Sequence, residues 1–157
     1  MNIIVVSDYE EMSEKACLLF SQAIKENPKL VLGLATGSTP LGLYQRLVKM
    51  VQNGQISFRD VTSFNLDEYV GLPENHPQSY RYFMNQNLFS QVDIKLENTF
   101  VPSGVASDLE KECEEYTKKL AENPQDLQLL GLGSDGHIGF NEPGTSFSSH
   151  THVVRLA

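Results

Sequence analysis

The stretch that decides the fold reads Leu30-Val31-Leu32-Gly33-Leu34-Ala35-Thr36-Gly37-Ser38-Thr39-Pro40. Its apolar part, up to Ala35, carries no polar side chain, which is typical of a strand covered on both faces of a sheet. The turn that follows leads into the helical run Leu41 to Val51, which Asn53-Gly54 ends. A buried strand that passes directly into a helix is the building unit of a parallel α/β sheet.

The same alternation of strand and helix continues on both sides of this stretch. The predicted strands are Ile3 to Val6, Leu30 to Ala35, Val61 to Leu66, Thr99 to Val101 and Leu127 to Leu132. The predicted helices are Glu10 to Ile24, Leu41 to Val51, Ser79 to Leu88 and Ser107 to Leu120. This order predicts an α/β fold with a doubly wound (Rossmann-like), mostly parallel sheet and helices on both faces. Such sheets bind ligands at the carboxyl ends of their strands.

Composition and charge limit the classes of function. A chain of 157 residues with 40% hydrophobic and 20% charged residues is typical of one globular domain and not of a disordered or fibrous protein. No apolar stretch approaches the roughly 20 residues of a membrane span, and the start lacks the basic region of a signal peptide, so we expect a cytoplasmic protein that does not bind membranes. A net charge of -8 argues against a nucleic-acid partner, although a helix N-terminus can still bind one phosphate group.

The turn Gly37-Ser38-Thr39-Pro40 is a candidate anion-binding site. It offers a glycine for close approach of the backbone, two hydroxyl groups, and the free N–H groups at the start of a helix. The alternative is an ordinary helix start, with serine or threonine as N-cap and proline in the first turn. These residues alone leave both interpretations open.

Asp67 is a candidate general base because it directly follows a hydrophobic strand. Partial desolvation at the edge of the sheet would tune its pKa for proton abstraction. The alternative is that Asp67 and Glu68 are a solvated strand end.

The glycine-rich segment from Gly131 to Gly144 contains the strongest chemical signal. Its glycines allow sharp turns, which could fold Asp135 and Glu142 onto the imidazole of His137. A carboxylate partner would orient the ring for acid and base chemistry. Two alternatives compete, namely a metal site built from the same three side chains and a purely structural turn. The mixed ligand set without cysteine or a second histidine disfavours the metal.

Several separated motifs resemble, in order, those of the glucosamine-6-phosphate deaminase family. They are Leu34-Ala35-Thr36-Gly37-Ser38-Thr39-Pro40, Phe64-Asn65-Leu66-Asp67-Glu68-Tyr69-Val70-Gly71-Leu72, Ser79-Tyr80, and Gly133 to Pro143. The resemblance implies a modified doubly wound α/β fold. It also implies a reaction of amino-sugar catabolism that needs no cofactor and no metal, in which glucosamine 6-phosphate and water give fructose 6-phosphate and ammonia.

The resemblance also assigns roles to residues. The ring-opening histidine falls on His137, supported by Asp135 and Glu142, and the enolisation base falls on Asp67. The turn Gly37-Ser38-Thr39 would hold the phosphate of the sugar phosphate, and Gly136 is assigned to the substrate site with its neighbours.

A related family, 6-phosphogluconolactonase, is the nearest rival. It typically has an arginine after its Asp-Glu pair and lacks Asn-Glu-Pro after the histidine, whereas here Tyr69 follows Glu68 and Asn141-Glu142-Pro143 is present. A non-catalytic sugar-phosphate sensor on the same fold is a further alternative, which the presence of all four candidate catalytic residues does not favour.

Deaminases of the family run further than this chain. We therefore expect residues 1–157 to form a single catalytic α/β domain that lacks the C-terminal part of the family's chain. Residues 153–157 are predicted to be the beginning of a further strand. The positions matching basic residues of allosterically activated members hold His152 and Val154, so allosteric activation is not expected and a monomeric enzyme is favoured over a homo-oligomer.

Overall fold

The structure, a computed structural model, describes residues 1–156. Its helices are α1 (Tyr9–Glu26), α2 (Leu41–Gln52), α3 (Tyr80–Asn87) and α4 (Leu109–Glu122), and two short 3-10 helices lie at Phe89–Gln91 and Leu96–Asn98. Its strands are β1 (Val31–Leu34), β2 (Thr62–Asn65), β3 (Thr99–Phe100) and β4 (Leu127–Gln128). From β1 onward the predicted alternation of strand and helix is confirmed.

The strands form one parallel sheet in the order β3-β2-β1-β4. The chain steps from β1 to β2 to β3 in one direction and then returns through α4 to the opposite side of β1. The strand order therefore reverses between β1 and β4. In open α/β sheets, the crevice for ligands lies at such a reversal, outside the carboxyl ends of the strands.

Helices cover both faces of the sheet, as predicted. Alternate residues of a strand point to opposite faces. Leu32 and Leu34 of β1 belong to the main core with buried side chains of α1, α2 and α3. On the other face, Phe64 of β2 stacks on Phe100 of β3 with ring centroids 4.7 Å apart, and Tyr116 of α4 packs edge-on against Phe64.

Polar side chains fix where the helices begin. Asp8 is the N-cap of α1 and accepts a hydrogen bond from the amide of Glu11, while the Glu11 carboxylate accepts one from the amide of Ser7, 2.8 Å away. The Glu11 carboxylate reaches the residue before the N-cap, so the arrangement is a variant of the capping box. Ser79 caps α3 by accepting from the amide of Tyr82.

Three strand predictions need correction. Residues 3–6 form no strand, and the side chains of Ile3 and Val5 are 75% and 89% exposed. A β-branched run becomes a strand only where a neighbouring backbone pairs with it, and no described strand pairs with residues 3–6. The strand predicted for Leu127 to Leu132 ends at Gln128, after which Leu132 is exposed. No strand occurs over residues 153–156, and position 157 lies outside the described residues.

Within residues 1–156, no helix combines the length and the apolar character needed to cross a bilayer.

Candidate active site

The turn between β1 and α2 is not an ordinary helix cap. The N-cap position of α2 is Pro40, and no side chain makes a cap hydrogen bond there. The interpretation of Ser38 or Thr39 as the N-cap is therefore wrong. Gly37 adopts a φ of 94°, a conformation that favours glycine, and it lies exposed with Ser38 and Thr39 at the carboxyl end of β1.

Two tyrosines that the sequence analysis did not single out hold this turn. The buried Tyr44 of α2 donates a hydrogen bond to the carbonyl of Ala35, with 2.5 Å between the oxygens. The hydroxyl of Tyr9 lies 3.0 Å from the carbonyl oxygens of Ser38 and of Thr39. A tyrosine hydroxyl that is buried needs a hydrogen-bond partner. The sequence signal for Tyr44 is therefore its place in the helix that follows the turn, where burial would direct its hydroxyl to a nearby polar group.

Asp67 lies just beyond β2 in an environment that favours its protonated form. Burial raises the pKa of its carboxyl group from 3.8 to about 6, the backbone amide of Phe140 lowers it by donating a hydrogen bond, and the charge of Glu68 raises it. A carboxyl group with this pKa is largely ionised at neutral pH and holds an abstracted proton more firmly than a solvated one. The solvated strand end considered for Asp67 does not fit this environment.

Glu68 has a different role from its neighbour. Its carboxylate accepts hydrogen bonds from the amides of Tyr80 and Arg81, at 2.9 and 3.0 Å, and so neutralises the positive end of α3. This contact fixes the start of α3 beside the strand end of β2. It places Tyr80 in an aromatic cluster with Tyr69 and Phe140, whose ring centroids lie 5.0 to 5.5 Å apart.

The segment after β4 brings Asp135 onto His137. Nδ1 of His137 lies 2.6 Å from Oδ1 of Asp135, which also accepts a hydrogen bond from the His137 backbone amide. The amide and the imidazole together lower the pKa of Asp135. The imidazole packs so closely over Gly133 that a Cβ there would lie 2.4 Å from the ring, and Gly136 closes the turn with a φ of 86°.

Glu142 does not join this pair. Its carboxylate makes no hydrogen bond to His137 in the described structure, and its main-chain carbonyl accepts from the amide and hydroxyl of Thr145, at 3.0 and 2.7 Å. The structure therefore brings one of the two carboxylates expected beside the imidazole, that of Asp135, into contact with it. Within residues 1–156, no three His, Cys, Asp or Glu side chains form a group that could hold a metal ion.

The loops after β2 and β4 meet at Asp67. Gly139, two residues beyond His137, has a φ of 59°, and a Cβ on it would lie 3.0 Å from Oδ2 of Asp67. A cleft of about 790 Å³ opens beside Asp67, Phe140 and Asn141, and a second cleft of about 560 Å³ opens beside Gly37. Tyr69 borders both clefts. Asp67 and Gly37 therefore border different clefts that share Tyr69, and His137 lines neither of them. The meeting of all three polar clusters in one site stays a prediction.

The fold and this edge define a parallel α/β protein with a cleft at its strand ends that contains the half-buried carboxyl group of Asp67, and with a carboxylate–histidine pair in the loop after β4. The chain belongs to the family of glucosamine-6-phosphate isomerases and 6-phosphogluconolactonases, whose model matches residues 8–146.

Individual relatives make the comparison more specific. A glucosamine-6-phosphate deaminase from Thermoanaerobacter sp. (strain X514) is 53% identical over 99% of this chain, which spans 62% of that relative. A monomeric glucosamine-6-phosphate deaminase of known structure superposes with a TM-score of 0.97 at 47% identity, over all of this chain and 66% of that one. The 6-phosphogluconolactonase of Trypanosoma brucei superposes with a TM-score of 0.75 at 26% identity, over 91% of this chain and 64% of that one.

Proposed function

We propose that the complete protein is a glucosamine-6-phosphate deaminase, which converts glucosamine 6-phosphate and water to fructose 6-phosphate and ammonia without metal or cofactor. The observation that carries the proposal is the position of Asp67, whose carboxyl group has a pKa of about 6 and lies where the loop that bears His137 folds over the end of β2. Isomerisation of an aldose to a ketose requires such a base beside C2 and C1 of the sugar.

The phosphate would bind to the turn Gly37-Ser38-Thr39. Its amide and hydroxyl groups lie at the start of α2, where the helix dipole favours an anion. Gly136, in the tight turn between Asp135 and His137, would border the sugar. Binding at the phosphate holds the reacting carbons in place and so lowers the entropic part of the barrier.

His137 would open the pyranose ring by moving a proton from the anomeric hydroxyl to the ring oxygen. Asp135 is placed to orient the imidazole for this step, because its carboxylate hydrogen-bonds Nδ1. We also retain Glu142 as a supporting acid. Its segment would have to move in the complete protein for its carboxylate to reach the imidazole.

Asp67 would then remove the proton from C2 of the open-chain amino sugar and return it to C1. Together with movement of one proton from the amino group to the carbonyl oxygen at C1, this transfer leaves a hydroxyl group at C1 and an imine at C2. Water adds to that carbon, ammonia leaves, and the keto group of fructose 6-phosphate forms. Because the aromatic rings of Tyr69 and Phe140 lie beside the cleft of Asp67, the carboxylate is less hydrated and therefore more basic.

The alternative function is hydrolysis of 6-phosphogluconolactone. The residues at the site favour the deaminase, because Tyr69 occupies the position of the lactonase arginine and Asn141-Glu142-Pro143 is present. The higher identity to the deaminases points the same way. A sensor without activity is less favoured, since the base and the carboxylate–histidine pair are both present.

A monomeric state and a cytoplasmic location belong to the same proposal. The match to a monomeric deaminase supports the first. The proposal does not include allosteric activation, since His152 and Val154 stand where activated members carry basic residues.

The two activities are separated by offering both substrates to the complete protein. We expect release of ammonia and fructose 6-phosphate from glucosamine 6-phosphate, and only slow hydrolysis of 6-phosphogluconolactone. Rapid lactone hydrolysis without release of ammonia would reverse the assignment.

A further inference from the structure

Tyr9 contacts the phosphate turn from a different helix. It lies in the first turn of α1, and its hydroxyl is 3.0 Å from the carbonyl oxygen of Ser38 and 3.0 Å from that of Thr39. The same hydroxyl accepts a hydrogen bond from the amide of Gly42, 2.9 Å away. One side chain therefore joins the turn that precedes α2 to the first turn of that helix.

These contacts determine which backbone groups face a bound anion. The carbonyl of Ser38 and the amide of Thr39 belong to one planar trans peptide, so the two groups point in opposite directions. Because Tyr9 holds the carbonyl on its own side, the amide of Thr39 points away from Tyr9. The amide of Gly42 is already engaged with Tyr9. The carbonyl of Ser38 also accepts a hydrogen bond from the amide of Leu41, 3.3 Å away, and Pro40 has no amide. The tyrosine thus keeps the carbonyl oxygens of Ser38 and Thr39 away from an anion and leaves the amide of Thr39 to face it.

We propose that Tyr9 is a positioning residue for substrate binding, which sets the main chain of Ser38 and Thr39 for recognition of the substrate phosphate. The inference rests on the proposed function, in which this turn binds that phosphate. Tyr9 touches no candidate reacting group, so its effect is on affinity and not on the chemical steps at Asp67 and His137.

A second contact between α1 and α2 supplies a matched control. Nη2 of Arg46 lies 2.6 Å from the carboxylate of Glu10, the residue next to Tyr9, and Nη1 of Arg46 donates to the carbonyl of Gly42. Glu10→Gln weakens the attachment between the two helices but leaves the contacts of Tyr9 intact. Tyr9→Phe removes only the hydroxyl and keeps the ring.

The experiment compares the complete wild-type protein with these two variants. It measures kcat and KM for glucosamine 6-phosphate, and the rise in Tm on addition of inorganic phosphate. For Tyr9→Phe we expect KM and the phosphate dissociation constant to rise about 2- to 12-fold, as for loss of one neutral hydrogen bond, with kcat unchanged. For Glu10→Gln we expect both affinities to stay at the wild-type value.

Three results would overturn the inference. The first is a Tyr9→Phe variant with wild-type affinities. The second is a loss of affinity shared equally by Glu10→Gln, which would assign the effect to helix attachment. The third is a wild-type protein whose Tm does not respond to phosphate. If the wild-type protein binds phosphate but releases no ammonia, the proposed function fails, whereas the phosphate affinity of Tyr9→Phe still decides the role of Tyr9.

Discussion

Replacing Asp67 by asparagine is expected to make the protein more stable and nearly inactive. Asparagine has almost the same shape and can still accept the hydrogen bond from the amide of Phe140, but it carries no charge that burial would penalise. The difference between the ordinary pKa of 3.8 and the value of about 6 in the fold corresponds to about 3 kcal/mol of unfolding free energy at neutral pH. This is an upper value, because asparagine is itself a polar group to bury.

The sign of the effect follows from proton binding. Between pH 3.8 and about 6, folded Asp67 retains a proton that the unfolded chain releases, so the stability of the wild-type protein falls as the pH rises through this window. Above the window the loss of stability is complete, and below it the loss is absent. The advantage of Asp67→Asn should therefore be largest at pH 7 and vanish near pH 3.5.

Urea unfolding of both proteins at pH 7 and at pH 3.5 measures this difference, and ammonia release measures activity. Loss of a general base is expected to lower kcat by about 10²- to 10⁴-fold. Asp108→Asn is the control, because Asp108 is the exposed N-cap of α4, where asparagine caps equally well, and its removal deletes the same charge. The reasoning is refuted if Asp67→Asn is no more stable than wild type at pH 7, or if its gain in stability is the same at both pH values.

Three further predictions concern the same site. Gly139→Ala should lower kcat at least tenfold, since the added Cβ would press on Oδ2 of Asp67. The control is Gly144→Ala, which should lower stability but not kcat, because Gly144 has a φ of 94° and open space around it. Equal kcat values of the two variants would contradict the contact between Gly139 and Asp67. The kcat/KM of the wild-type protein should fall as the pH drops below about 6, because Asp67 becomes protonated, and a profile that is flat down to pH 4.5 would remove Asp67 as the base. Ammonia release should persist after treatment with a chelator, and activity that returns only on addition of a divalent metal would disprove the metal-free reaction.

The part of the fold that positions the site could be predicted from local sequence. An apolar run such as Leu30 to Ala35, followed by a turn and an amphipathic helix, leaves few structures other than a buried parallel strand. The run Ile3 to Val6 has the same local character and forms no strand, because pairing depends on a neighbouring backbone. Local patterns report the tendency to form a strand but not the partner that completes it.

The sequence predicts those parts of the candidate site whose positions are determined by nearby main-chain turns. Asp67 lies in the partly buried position that its place after β2 implies, and the turn at Gly136 brings Asp135 onto His137. Contacts between distant elements could not be predicted. The hydroxyl of Tyr9 reaches residues 29 and 30 positions away in sequence. The expected contact between Glu142 and His137 also depends on how the glycine-rich segment packs, and glycine spacing does not specify that packing.

Proton NMR of glucosamine 6-phosphate in D₂O tests most directly whether Asp67 moves the proton of an amino-sugar phosphate. With the complete wild-type protein, we predict exchange of the C2 proton with solvent, together with fructose 6-phosphate and ammonium in equal amounts. With Asp67→Asn, we predict that the C2 proton stays in place. A wild-type protein that leaves glucosamine 6-phosphate unchanged, or an Asp67→Asn variant that exchanges the C2 proton at the wild-type rate, would contradict the proposed mechanism.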